Sequence, residues 1–281
     1  MSAKILLAGC GDLGTEVGLR ARAAGSRIVG ARRRAELLPE SFEKQSVDLR
    51  TGRPIVGDDV DLVVVSLTAG DRTPEAYRAA YFDGLRNVLD AVDESAADPR
   101  VILVSSTAVY DVDDESEVDE GTPATGLTAT GAVLLETEQL LRDRVAEGVI
   151  LRLGGIYGPG RERLIDQVRR GGIHEPHVSP FTNRIHRDDA ARAILHLAAL
   201  ESPPRLVLGV DDEPARLGDV LRFLAAEIGA DAPGTASRDR ERAGSKRCSN
   251  RLLRSTGFVF DYPTYREGYR AVLAGAGTRH P

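Results

Sequence analysis

Short, uninterrupted apolar runs alternate along the chain with longer stretches whose apolar positions recur at helical spacing. Ile5-Leu6-Leu7-Ala8 is the first such run. Arg27 to Gly30, Asp61 to Leu67 (DLVVVSL), Val101 to Val104, Gly148 to Leu153 and Leu206 to Leu208 repeat the type. Runs of this kind suit strands buried on both faces, as in a parallel sheet. Ser46-Val47-Asp48-Leu49 reads as a further short strand. Between the strands, Thr15 to Ala24, Pro74 to Val92, Thr128 to Arg144 and Ala190 to Leu200 read as helices, the last capped by Asp188 or Asp189. Tyr77, Tyr81, Leu85, Val88 and Leu89 share one helical face, which makes the two tyrosines packing residues. Strands alternating with helices in this way specify an α/β fold with a doubly wound parallel sheet.

After Gly160 the alternation weakens. Leu164 to Arg170 and Leu217 to Ile228 read as helices separated by a loop-like stretch from Gly171 to Arg184. Ala230 to Ser249 is polar and charged, a surface segment able to cover a site, and Asn250 to Leu273 closes as helix, turn and helix. The expected organisation is a large domain of residues 1–160 with about 186–210. A small C-terminal substrate lobe would comprise about 161–185 with 211–281.

The first βα junction changes this from architecture to chemistry. Gly9, Gly11 and Gly14 follow the first strand in G-x-G-x-x-G spacing, within KILLAGCGDLGTE, and a helix opens at Thr15. This is a Rossmann-type turn, in which the glycines permit the bend, the approach of a pyrophosphate and close helix–strand packing. Gly9, Cys10, Gly11, Asp12, Leu13 and Gly14 are therefore cofactor-binding candidates. About 20 residues further on, where an acid would select NAD, stand Arg32, Arg33 and Arg34. Planar guanidinium groups suit a ribose 2′-phosphate, so the expected cofactor is NADP, held by Arg32 and Arg33. Asp48 and Leu49, and Leu67, Thr68 and Ala69, end later strands on the same side of the sheet and join the cofactor set.

Composition narrows the class. The chain has 281 residues, 42% hydrophobic and 28% charged, with a net charge of −6 that disfavours a nucleic-acid surface. No apolar run approaches the roughly 20 residues that cross a bilayer, and the N-terminus lacks a secretory layout. Two cysteines, Cys10 and Cys248, are too few for a disulfide framework or zinc site, so a cytoplasmic location is expected. Asp111 to Glu120 carries seven acids in ten residues but lacks the ligand spacing of a calcium loop, and reads as a solvated loop. His174 and His177 flank Glu175-Pro176 without a third ligand, and are expected to be exposed or near a substrate.

With these segments in place, the chain resembles the extended short-chain dehydrogenase/reductase superfamily, of the NAD-dependent epimerase/dehydratase type. The marks are AGCGDLG at the first turn, Gly84 with Asn87-Val88-Leu89, SSTAVYD, LRLGGIYGPGR, NRIHRDDAARAI and GFVFDYPTYREGY. It is most similar to atypical members described as nucleoside-diphosphate-sugar epimerases. The resemblance implies a catalytic Tyr-x-x-x-Lys pair, in which tyrosine moves a proton while hydride passes to or from nicotinamide. Thr122-Pro123 and Glu138 fix the register, and there Thr130 replaces the tyrosine and Leu134 the lysine. A threonine hydroxyl is a far weaker acid, and leucine carries no charge.

Ser106 stands where the family orients its substrate. Tyr110, Tyr157 and His186 are the candidate replacement proton donors, while Thr107, Thr130 and His186 join Ser106 as substrate-binding candidates. The resulting expectation is an NADP-binding reductase or epimerase, acting on a small or nucleotide-linked substrate by a non-standard proton route. An alternative is an NADP-binding sensor without turnover. A small-molecule partner is expected, with no nucleic acid and no membrane, and a homodimer is left open.

Overall fold

Seven parallel strands form one sheet in a computed structural model that describes residues 3–171, 174–175, 179–235 and 244–281. They are β1 (Lys4–Ala8), β2 (Arg27–Arg32), β3 (Glu43–Ser46), β4 (Leu62–Val65), β5 (Arg100–Ser106), β6 (Val149–Leu153) and β7 (Leu206–Gly209). Their spatial order is β7-β6-β5-β4-β1-β2-β3, with the direction of winding reversing between β1 and β4. Ligands of such sheets bind beyond the carboxyl ends of the strands at that reversal.

Alternate residues of each strand feed two apolar layers. Ile5, Leu7, Val64 and Ile102 face Val17 of α1 (Asp12–Ala23) and Ile194 of α6 (Arg187–Ala199). Leu6, Val63, Val65 and Leu103 face Leu85, Val88 and Leu89 of α3 (Gly84–Asp93) and Leu141 of α4 (Ala129–Arg144). Burial on both faces is what the uninterrupted apolar runs require. A separate core joins α5 (Arg163–Arg169), α7 (Leu217–Ile228) and α9 (Tyr265–Leu273) through Ile165, Leu221, Leu224 and Tyr269. Leu253 of α8 (Arg251–Ser255), with Phe258 and Phe260, instead packs back on the α1 and α6 side of the main sheet. Among the described residues, no helix is long and apolar enough to cross a membrane.

Several elements depart from the sequence expectation. The strand expected over Ser46 to Leu49 is β3, three residues earlier, because Val47 and Leu49 are drawn into the core behind β1 and β4. The helix expected over Pro74 to Val92 is interrupted: α2 (Pro74–Tyr77) passes through a π-helical turn at Arg78–Asp83 before α3 begins. The acidic stretch is not a free loop. Glu117–Val118 pairs with Arg247–Cys248, and Glu115 accepts two bonds of 2.7 Å from Arg216. That pairing also holds residues 244–249 of the expected surface segment against the molecule, with Lys246 and Cys248 buried. The side chains of His174 and His177 lie outside the described residues.

Candidate functional site

Gly9 turns the chain at the end of β1 with φ +81, a conformation that side chains resist. The amides of Gly9 and Cys10 donate to Ala31 O at 3.0 and 3.1 Å, and Ser66 Oγ donates to Gly9 O at 3.2 Å. These bonds suspend the turn over the gap between β1 and β4. The first bond within α1 runs from Thr15 N–H to Gly11 O at 2.7 Å. The amides of Asp12, Leu13 and Gly14 precede it, at the positive end of the helix dipole. A Cβ on Gly11 would meet no atom nearer than Gly9 O at 3.9 Å, so the space above the turn is open.

That space is a cleft of ≈620 Å³. The structure brings Gly9, Gly11, Asp12, Leu13, Gly14, Arg32, Arg33, Asp48, Leu49, Leu67 and Thr68 together around it. Arg34 and Arg50 stand at the same end as Arg32 and Arg33. Asp48 is the carboxylate there, and Arg50 binds it through Nε at 2.9 Å and Nη2 at 2.6 Å. The Arg50 hydrogen bond holds the Asp48 carboxyl below its usual range. A glycine floor with free amide donors and a guanidinium-rich end fit a dinucleotide, the phosphates over the glycines and the adenosine ribose by Arg32.

Other expected residues lie elsewhere. Cys10 is buried behind the turn, where burial pushes its thiol up to about 11, and Ala69 does not line the cleft. Tyr110 is a packing residue: its hydroxyl donates to Asp119 O at 3.0 Å, and Arg152 stacks on its ring at 4.8 Å. Tyr157 packs on Tyr269 with ring centres 4.4 Å apart, and its hydroxyl lies 3.5 Å from Thr264 O. Burial pushes both phenols up, further from proton donation. Thr107 is buried and bonds the Cys248 thiol. Long-range packing decides each of these directions, and none points into the cleft.

His186 is a helix cap. Its Nδ1 accepts from Asp188 N–H at 3.2 Å, so α6 begins at Arg187 and needs no aspartate cap. Asp189 instead accepts the amides of Asp261 and Tyr262 at 2.9 and 2.8 Å. Burial, aided by the charges of Arg187 and Arg20 and opposed by Asp188, pushes the His186 imidazole from 6.5 down to about 4. Between those values the unfolded chain binds more protons than the folded one, so stability is expected to fall as pH drops through that window. Urea unfolding at about pH 7 and about pH 5 measures the effect. His186→Asn, which retains a capping oxygen, should flatten the slope, and an unaltered slope in that variant counts against the assignment.

Ser106 remains beside the cleft. Val104 lines it, and Ser106 lies two residues further along β5, on the same face of the strand. Its Oγ accepts from Ala108 N–H at 3.1 Å, leaving the hydroxyl proton available. Ser105 faces the other way and donates to Glu138 at 2.7 Å. Thr130 is half-buried in the first turn of α4. Four residues on, Leu134 is buried in an apolar cluster with Val109, Tyr110, Val118 and Leu208.

Sequence reasoning missed Arg161, Ser66 and Arg187. Arg161 lines the cleft and donates to Asp12 at 2.6 Å; its signal was the arginine closing IYGPGR. Ser66 lines the cleft too, and its signal was a hydroxyl ending a buried strand. Arg187, 1% exposed, also binds Asp12, through Nη1 at 2.9 Å. Despite burial, the Arg161 hydrogen bond, the His280 amide and the two arginine charges hold the Asp12 carboxyl below its usual range.

The sequence pattern of the NAD-dependent epimerase/dehydratase family matches residues 9–209. A Methylobacillus flagellatus structure described as an NAD-dependent epimerase/dehydratase candidate is 34% identical, with TM-score 0.79, covering 98% of this chain and 99% of that one. A conserved protein of unknown function from Silicibacter pomeroyi is 26% identical, with TM-score 0.80 and coverage of 99% and 100%. A Streptomyces sp protein named 3-diazoavenalumate denitrifying reductase is 29% identical over 260 residues, 83% of this chain and 84% of its own.

Proposed function

Since the chain belongs to the NAD-dependent epimerase/dehydratase family, we propose that it is an NADPH-dependent reductase of a small, already electron-poor acceptor. The observation that carries this reading is Leu134, enclosed by apolar side chains where the family pattern has its lysine. With Thr130 beside it, these two positions offer neither a phenol nor a cation with which to protonate an alkoxide. An acceptor that is already cationic, such as an iminium or an aryl diazonium, needs no such proton. Hydride neutralises it or expels a leaving group, and the charge balances without a protein acid.

The bound cofactor would supply that hydride. The chain's own residues bind and orient. The amides of Asp12 to Gly14 hold the phosphates, and Arg32, Arg33 and Arg34 favour a 2′-phosphate over a bare ribose. Leu67, Val104 and Ile156 line the cleft and would keep water from the reacting end, and Ser106, at the end of β5, would donate a hydrogen bond to the acceptor. Likeness to a denitrifying reductase supports reduction over epimerisation. Epimerisation by way of a carbonyl needs a group that takes the proton from a hydroxyl oxygen and returns it there.

NADPH oxidation against iminium, aryl diazonium, ketone and nucleoside-diphosphate-sugar substrates tests the reading. Turnover is expected with the electron-poor acceptors. On such a substrate, Ser106→Ala should lower kcat/KM by about 10²-fold, and Thr130→Val by only about twofold. Epimerisation of a nucleotide sugar, or a dead Thr130→Val enzyme, overturns it. A second reading, an NADP-binding sensor, draws on the same enclosure of Leu134. Tight NADPH binding with no acceptor reduced selects it.

A further inference from the structure

After α9 the chain returns across the start of α1, and Pro281 meets Arg32. Thr278 O accepts from Arg187 Nη1 at 2.8 Å, and the Arg279 side chain lies against Gly160. His280 N–H donates to Asp12 Oδ1 at 3.1 Å, and its Nε2 sits 2.8 Å from Glu16 Oε2. Pro281 O then accepts from Arg32 Nη1 at 2.6 Å. Asp12 and Arg32 both line the cleft. The tail therefore reaches the cleft twice, beside the glycine turn and at the guanidinium-rich end.

The two contacts differ in kind. Asp12, Glu16 and Arg187 form a largely buried knot, with Arg187 Nη2 also 3.4 Å from Glu16. That knot holds the tail through the backbone of Thr278 and His280, and nothing in the open cleft competes for those atoms. Pro281 is exposed and held through its main-chain oxygen. It occupies a donor of the arginine placed to meet a ribose 2′-phosphate.

We infer that residues 278–281 are a specificity-determining rim of the dinucleotide site, with Pro281 and a 2′-phosphate competing for Arg32. The inference rests on the dinucleotide reading of the cleft. Guanidinium binds phosphate best as a fork, through two parallel charge-assisted bonds. With Nη1 committed to the Pro281 oxygen, the phosphate must displace it before the fork is complete. A bare 2′-hydroxyl makes no such demand. The tail therefore weakens NADPH without weakening NADH, and narrows the preference that Arg32, Arg33 and Arg34 would set unaided.

A chain shortened to end at Thr278 keeps the Arg187 contact and frees Arg32. Calorimetric titration of the full and shortened chains with NADPH, NADH and 2′,5′-ADP is the test. Shortening is expected to tighten NADPH and 2′,5′-ADP by roughly tenfold and to leave NADH within about twofold. In an Arg32→Ala background the gain should vanish, because the two changes act on one contact. His280→Ala, which removes the Glu16 anchor alone, should shift NADPH in the same direction by less, and it serves if the shortened chain folds poorly. The inference is overturned if NADPH is not tightened, if NADH gains equally, or if the gain survives Arg32→Ala. If none of these proteins binds either cofactor or 2′,5′-ADP, the dinucleotide reading itself is wrong and the rim falls with it. NADH binding without a tail effect removes the rim alone.

Discussion

Gly11→Val is expected to weaken dinucleotide binding by about 100-fold or more, roughly 3 kcal/mol, while the protein stays folded. Gly11 has φ −89 and ψ −155, which valine can adopt, and its Cβ would project into open space. The folded chain therefore has room for the side chain. The cost to stability is that of a poorer helix N-cap, about 1 kcal/mol. The isopropyl group would fill the volume through which a pyrophosphate must approach the amides of Asp12 to Gly14. Titration with NADPH and NADH, beside a thermal melt, reads both effects. A folded variant with normal affinity would show that the turn does not hold a dinucleotide. Gly9 makes the contrast. At φ +81 a Cβ there would lie 2.6 Å from Ser66 O, so Gly9→Ala should lower the melting temperature as well as affinity.

Glu138→Ala carries the largest expected loss of stability, about 3–5 kcal/mol by urea unfolding. Glu138 is fully buried and accepts from Ser105 Oγ at 2.7 Å and from Arg152 Nε and Nη2 at 2.9 and 2.6 Å. Arg142 adds a bond of 3.1 Å from the rim. Removing the carboxylate strands the Arg152 guanidinium, 3% exposed, beneath β5 and β6. Most of the loss is the unpaired buried charge and not the net worth of the pair. The double variant Glu138→Leu with Arg152→Met is therefore expected to be more stable than Glu138→Ala alone. A single-variant cost below about 1 kcal/mol would mean that water reaches Arg152 and relieves it.

Local chemistry was enough for the parts of this protein that depend on neighbours in the chain. Uninterrupted apolar runs dictated strands buried on both faces, and their alternation with helices dictated the parallel sheet. Gly9 and Gly11 between β1 and α1, with Gly14 in the first turn of α1, specify the turn that opens the cleft, because the geometry they permit is set within six residues. The absence of an acid after β2 could likewise be read directly, as could Thr130 and Leu134 at the positions where the resemblance puts tyrosine and lysine.

Side-chain direction could not. Tyr110, Tyr157 and Thr107 stand in promising motifs, yet each is turned by a partner far away in sequence, Arg152, Tyr269 and Cys248 respectively, and His186, besides capping α6, stacks on Tyr262. A hydroxyl or imidazole in a sequence records that a group is present. Whether it faces solvent, core or cleft depends on which surfaces pack together. The same reason hides Arg187 and the tail. Asp12 and His280 are 268 residues apart, and only the folded chain brings that amide to that carboxylate. Periodicity reports what a residue's own element buries, while the contacts that edge the cleft come from elements that meet only after folding.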